Sequence, residues 1–462
     1  MMTRTEGDQR GGAPARPAAD ATLVSRSCEV SDVSFRAFLA ARDRGEPRVH
    51  WASPAGLELV GGGAAVRLTA EGADRFDRLR ADAATVFADT DVGAEAGSAA
   101  TRPRMLGGVA FDAAHEPDAT WAGFPAASFL LPAVQLTRDH EGTYLTVTRY
   151  AADATAAAVD DDLTAARESL ADLPMMRPSG GKPGVAATRW RTDRAEWVEQ
   201  VERVRERIRA GDLRKVVLAT ALDVDLASPV DIPDTLERLR RTYPECYRFL
   251  VQPSGGDAFF GPPPERLVKL DGRRVETEAL AGSMPRGDSH ETDADNARSL
   301  LESEKLQHEQ RLVVDTIAEQ LSAYGDVREG EQGVRKLTNI QHLRTPIEAD
   351  LDGPEHVLTL VEALHPTPAM GGLPLAEALA TIRGTETFDR GWYASPVGWF
   401  DGNGDGEFAV GIRSCVAGDD HATLFAGNGI VGDSDPEAEW EELQPKVRPV
   451  LDELERDDRT DE

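Results

Sequence analysis

Lysine is nearly missing from this chain. It occurs six times, at 182, 215, 269, 305, 336 and 446, and the other 45 basic residues are arginine. Against 51 basic residues stand 81 acidic ones, a formal net charge of −30. Such a polyanion repels nucleic acid and anionic lipid, which argues against non-specific binding to either. Cysteine is scarce too. Cys28, Cys246 and Cys415 make neither a CxxC pair nor a disulfide framework, which fits a reducing compartment and argues against structural zinc. No apolar run approaches ~18 residues, so no membrane-spanning helix is expected. Residues 1–20 are rich in Gly, Pro and charge and lack the apolar segment of a secretory signal, so they read as a disordered tail. A cytoplasmic protein is expected.

What the chain does have is 462 residues, 40% of them hydrophobic, enough for a large core. A charge of −30 repels itself in dilute buffer. In molar salt the Debye length is ~3 Å and that repulsion is screened. Excess carboxylate, scarce lysine and many small apolar residues together point to a salt-adapted, haloarchaeal type of protein. The plainer alternative is an acidic protein of ordinary habitat.

Residues 21–170 read as a mixed scaffold of short helices and hairpins, with no catalytic spacing of His, Cys or carboxylate. Residues 171–188 are rich in Pro and Gly and read as a linker or loop. The part from 189 to 456 opens on an amphipathic helix stopped by Gly211. Strands follow (RKVVLATALDVDL, YRFLVQP, DAFFG, RRVETEALAGS), then a long helix, ESEKLQHEQRLVVDTIAEQLSAYG, then a hairpin turning at DGNGDGE, and a closing helix from about Pro436. Strands in runs with helices between them argue for an α/β (α+β) fold with much antiparallel sheet, not a doubly wound parallel one.

Two motifs mislead. Gly427-Asn428-Gly429-Ile430-Val431-Gly432 fits GxGxxG, but no helix opens inside it and no βαβ unit surrounds it, so dinucleotide binding is not expected. Asp401-x-Asn403-x-Asp405-Gly406 opens like a calcium loop, yet its twelfth position is Ile412 instead of a bidentate Glu.

The residues with chemical promise lie in the second part. Lys215 heads an apolar strand, where burial lowers a lysine pKa towards a useful base; the alternative is a strand-end lysine at the surface. Glu265 follows a rigid proline run, where a dry carboxyl keeps its proton; the alternative is an ion pair with Arg266. Glu309 lies mid-helix, and Glu439 and Glu442 share a face at i, i+3, offering the oxygen ligands a hard dication takes. Acids that follow Asp435-Pro436 also simply complement a helix dipole. Arg413, Tyr393 and Lys446 accompany the glycines of AGNG, which suits an anionic ligand.

KVVLATA, FFGPPPERL, EALAGSMPRG, ESEKLQHEQ, NIQHLRT, LHPTPAMGG, FDRGWYASPVGWFDGNGDGEFAVGIRSC and LFAGNGIVGDSDPEAEWEELQPK together resemble the chorismate-utilising family over about residues 190–455. The resemblance implies one large fold of two packed, mostly antiparallel sheets ringed by helices. It implies Mg²⁺ held by Glu309 and Glu442 with Glu439 close by. It implies an enolpyruvyl carboxylate met by Arg413, Tyr393 and the N–H groups of Gly427 and Gly429, with Gly282, Ser283, His342, Ala369 and Lys446 at further pocket positions.

Within the family a lysine matching Lys215 activates water, where the ammonia-using enzymes have glutamine. The nucleophilic lysine of aminodeoxychorismate synthases is matched by Ala281. The resemblance therefore points to isochorismate synthase, of the menaquinone or siderophore type. The resemblance implies that Lys215 acts as base on water attacking C2 and that Glu265 protonates the leaving C4 hydroxyl. Salicylate synthase is the nearest alternative. Ala369 and Ile412 favour the former and Tyr393 leans to the latter. A non-catalytic acidic binding protein is the alternative of another class. Chorismate is the expected substrate, no glutamine amidotransferase subunit is expected, and a monomer is expected. Three departures stand out: Gln310 replaces the family's His, Asn428 its Ala, and Pro263-Pro264-Glu265 its Ser-Pro-Glu.

Overall fold

The computed structural model describes residues 17–18, 20–93, 99–174, 180–338 and 340–456, and leaves the Ser283 side chain out. The tail expected over 1–20 falls mostly outside the described residues, as do 175–179 of the expected linker. Residues 185–188, also expected as linker, instead begin the strand Val185–Trp190. It pairs along the Lys215–Leu226 strand, and sheet pairing overrides the weak local signal.

Among the described residues thirteen strands form one sheet and ten form a second. The described pairings are antiparallel except Thr22–Glu29 with Thr90–Val92. Strands from the two parts of the chain complete each other's sheets. In the first sheet Arg248–Gln252 pairs with Arg48–Ala52, and in the second Pro396–Asp401 pairs with Arg104–Val109. Neither sheet closes its core without strands from before residue 150.

Local chemistry explains the site-bearing elements. Lys215–Leu226 is rich in Val, Leu and Ala, and its residues 215–222 are all buried. That near-continuous apolar pattern is what a strand covered on both faces requires. The long helix expected from Glu302 starts at Glu304, because a separate helix, His290–Glu302, precedes it. Ser303 ends one helix in an extended conformation and caps the next, its hydroxyl accepting from the Leu306 N–H. The last helix, Pro436–Leu454, is capped by Asp435 and carries Pro445 and Pro449 in its interior.

Glu265 and Arg413 lie where the chain crosses from one sheet to the other. Glu265 sits between Ala258–Gly261 of the first sheet and Arg266–Asp271 of the second. Arg413 sits between Gly406–Val410 of the second and Cys415–Ala417 of the first. Both crossings open on the same cavity.

Candidate active site

A cavity of about 280 Å³ is lined by Lys215, Glu265, Gly282, Glu309, His342, Ala369, Tyr393, Arg413, Gly427, Gly429, Glu439, Glu442 and Lys446. Thus thirteen of the fourteen residues singled out from sequence meet in one place. The fourteenth, Ser283, has a placed backbone only: it pairs with His342 next to a bulge at Gly282, whose φ is +62°.

Lys215 is buried, as its strand-head position allowed, and not at the surface. Its Nζ donates to Glu309 Oε1 at 2.5 Å. Val217 opposes Gly429 in the neighbouring strand, and the Lys215 side chain crosses over that glycine. A Cβ at 429 would stand 2.6 Å from Lys215 Cε, so glycine there is what makes room for the lysine.

Glu265 is 6% exposed. The alternative of an Arg266 pair is set aside by the geometry, since Arg266 binds Glu276 Oε2 at 2.8 Å and the Tyr247 hydroxyl at 2.9 Å. Burial, reinforced by the Glu278 charge and opposed by Arg335 and Lys215, pushes the Glu265 carboxyl up to about 8. It therefore holds its proton at neutral pH, the state an acid catalyst needs. Glu278 itself is buried and gripped by Arg335 (2.6 Å) and by Arg344. Nothing in the sequence pattern marked Glu278, because its partners come from other strands.

The wall around Arg413 and Tyr393 is built on unusual backbone. Arg413 and Ala394 both have positive φ, +54° and +58°, which costs about 1–3 kcal/mol for such residues and is tolerated where the surroundings dictate it. Pro449 has no N–H, so the Pro445 carbonyl lacks its usual helical donor, and Arg413 Nη1 lies 3.4 Å from it. Tyr393 stacks on Phe425 (5.2 Å), which stacks on Trp121 (5.3 Å). Burial pushes the Tyr393 phenol up to about 12, so it stays a donor. Burial and the Arg413 charge push His342 down to about 3, leaving a neutral imidazole.

The three acids proposed for a metal line the same cavity but are not gathered into one cluster. Among the described residues no group of three His, Cys, Asp or Glu is placed to hold a metal ion. Each has a different partner: Glu309 takes Lys215, Glu442 takes Lys446 at 2.9 Å, and Glu439 bonds Ser434. The donors are nevertheless carboxylate oxygens from two helices that line one cavity, a set that suits a dication completed by substrate and water. Glu437, by contrast, is exposed and pairs with Arg194 at 2.7 Å.

Lys446 spends its three donors on the protein: Gly427 O at 3.0 Å, Asn428 Oδ1, and Glu442. Gln310 is fully buried, donating to Ala279 O and Thr345 Oγ1, and takes no part in the cavity. Sequence reasoning missed Arg390. It lines the cavity, pairs with buried Glu386, and donates to the carbonyls of Val217 and Met370. The two misleading motifs resolve as expected: Gly427 and Gly429 belong to a strand and Gly432 to the turn after it, and Asp401 and Asp405 turn to Arg102 in a hairpin.

The chain matches the chorismate binding enzyme family over residues 13–455. It is 35% identical to a salicylate biosynthesis isochorismate synthase of Pseudomonas aeruginosa, covering 92% of this chain and 88% of that one. It is 36% identical to the isochorismate synthase MenF of Bacillus subtilis, covering 76% and 74%. Among solved structures, the menaquinone-specific isochorismate synthase MenF of Escherichia coli superposes with a TM-score of 0.78 at 28% identity, covering 96% of this chain and 97% of that one. Anthranilate synthase component I of Streptococcus pneumoniae shares the fold at a TM-score of 0.73 and 22% identity, covering 86% and 93%. Two interleaved sheets, one cavity at their crossings and a match along nearly the whole chain agree: the protein belongs to the chorismate-binding enzyme family.

Proposed function

We propose that this chain is an isochorismate synthase, an isomerase that moves a hydroxyl from C4 to C2 of chorismate by water addition and loss. The observation that carries the reading is that Lys215 and Glu265 line one cavity, a buried lysine and a buried carboxyl that keeps its proton. Lys215 takes a proton from water as it attacks C2. The double bonds shift, and Glu265 gives its proton to the departing C4 oxygen. Arg413, with the Tyr393 hydroxyl and the strand glycines, receives the enolpyruvyl carboxylate. Neutral His342 adds a polar contact without a charge. Bound Mg²⁺ would supply charge neutralisation at the ring carboxylate, with Glu309 and Glu442 to hold it and Glu439 nearby. Positioning and paired acid–base catalysis are the main sources of rate.

Ala369 lines the cavity, and so small a side chain there supports isochorismate as the released product; Tyr393 is the one residue leaning towards salicylate. Menaquinone synthesis, in line with the name of the Escherichia coli relative, or siderophore synthesis is the proposed destination, in a salt-rich cytoplasm. Among the described residues no helix is long and apolar enough to cross a membrane. The test is incubation of chorismate with purified protein in high salt, with and without Mg²⁺, and chromatography of the products. Isochorismate in equilibrium with chorismate is expected. Stoichiometric salicylate and pyruvate, formed faster than isochorismate decays by itself, would overturn the assignment.

A further inference from the structure

Asn428 departs from the family pattern, and its side chain is fully engaged. It is 1% exposed, on the strand His421–Ile430 between the two cavity glycines. Its Nδ2 donates to the Glu439 carbonyl at 2.5 Å, and its Oδ1 accepts from Lys446 Nζ. Glu439, Glu442 and Lys446 all stand on the last helix and all line the cavity.

We propose that Asn428 is a positioning residue that holds Lys446 in one orientation at the cavity wall. This rests on the reading that the cavity takes chorismate. The physical reason is the geometry of an ammonium. A free lysine has many rotamers and loses up to about 2 kcal/mol of side-chain entropy when fixed. Here three acceptors (Gly427 O, Asn428 Oδ1 and Glu442 Oε1) define a single position before substrate arrives. An alanine at 428 leaves only two, and the cation, which acts on the anionic substrate through its charge at the cavity wall, must then be ordered at the expense of substrate binding. Asn428 touches no substrate in this scheme; it acts through Lys446.

The experiment compares kcat and KM for chorismate in the full-length wild type, Asn428→Ala, Asn428→Asp, Lys446→Met and the Asn428→Ala/Lys446→Met pair. Asn428→Ala is expected to raise KM by about three- to tenfold with kcat within about twofold, as loss of one hydrogen bond implies. The rise is expected to vanish in the Lys446→Met background. Asn428→Asp keeps the acceptor that faces Lys446 and gives up the donor to Glu439, so it should stay near the wild-type KM. Where turnover of a Lys446→Met variant is too slow for KM, calorimetric binding of chorismate supplies the same comparison.

An unchanged KM in Asn428→Ala overturns the proposal. So does a rise equally large without Lys446, or an Asp variant as impaired as Ala. A wild type that does not consume chorismate would instead defeat the functional reading, so the two failures are distinguishable.

Discussion

The proton on Glu265 has a measurable consequence. A carboxyl moved from 4.5 to about 8 favours its neutral form by about 5 kcal/mol over an ordinary one. At pH 7 roughly nine in ten molecules carry that proton, and at pH 9 roughly one in ten. The sign follows from the role: the acid acts protonated, so its contribution is full well below 8 and is lost as pH rises through it. A base works in the opposite sense, so Lys215 cannot produce this limb by losing its proton. The assay is kcat/KM for chorismate loss from pH 6 to 9.5 at constant high salt. A one-proton descending limb centred near 8 is expected. Glu265→Gln keeps the shape of the side chain, should lose about 10²–10⁴-fold in kcat, and should lose the limb from what activity remains. Glu278→Gln removes the neighbouring negative charge and leaves Arg335 opposed by less, so the limb should move to lower pH. A flat profile to pH 9.5, or the same limb in Glu265→Gln, would refute the assignment of Glu265 as the acid.

Gly429→Ala should lower kcat at least ~10-fold while melting within about 2 °C of wild type, because the new Cβ displaces only the flexible end of Lys215; kinetics and a thermal melt check this. Glu309→Gln and Glu442→Gln should each weaken Mg²⁺ binding by calorimetry and raise the Mg²⁺ needed for activity, whereas Glu437→Gln should do neither, since Glu437 faces Arg194 on the outside. The net charge of −30 should make folding salt-dependent: circular dichroism should show loss of native signal in dilute buffer and recovery in molar salt, and a full native signal without salt would sink salt adaptation.

Much of the site was legible because its residues sit at positions with local signatures. Lys215 heads an apolar strand, Glu265 closes a proline run, and Glu439 and Glu442 recur at i, i+3 on a capped helix. Each signature is weak alone, and a surface lysine or a dipole-complementing acid explained it as well. Their order along the chain and the family resemblance raised them together. Other features left no trace. Glu278 takes its two arginines from two other strands, Arg390 reaches carbonyls of two distant segments, and the partners of Lys446 come from a strand and a helix.

The sequence by itself determined the antiparallel character of the fold, the start of the last helix and the hairpin at 401–406, and it nominated Lys215 and Glu265 as candidates. These rest on periodicity, capping and residue chemistry, which act over a few neighbours. Tertiary structure alone decided that the first 150 residues complete both sheets, that residues 185–188 pair as strand, and that the metal-type acids have separate cationic partners. It also decided the protonation of Glu265, because burial and the charges of Glu278, Arg335 and Lys215 exist only once the two sheets have met. A pKa belongs to an environment, and that environment is assembled from residues far apart in the chain.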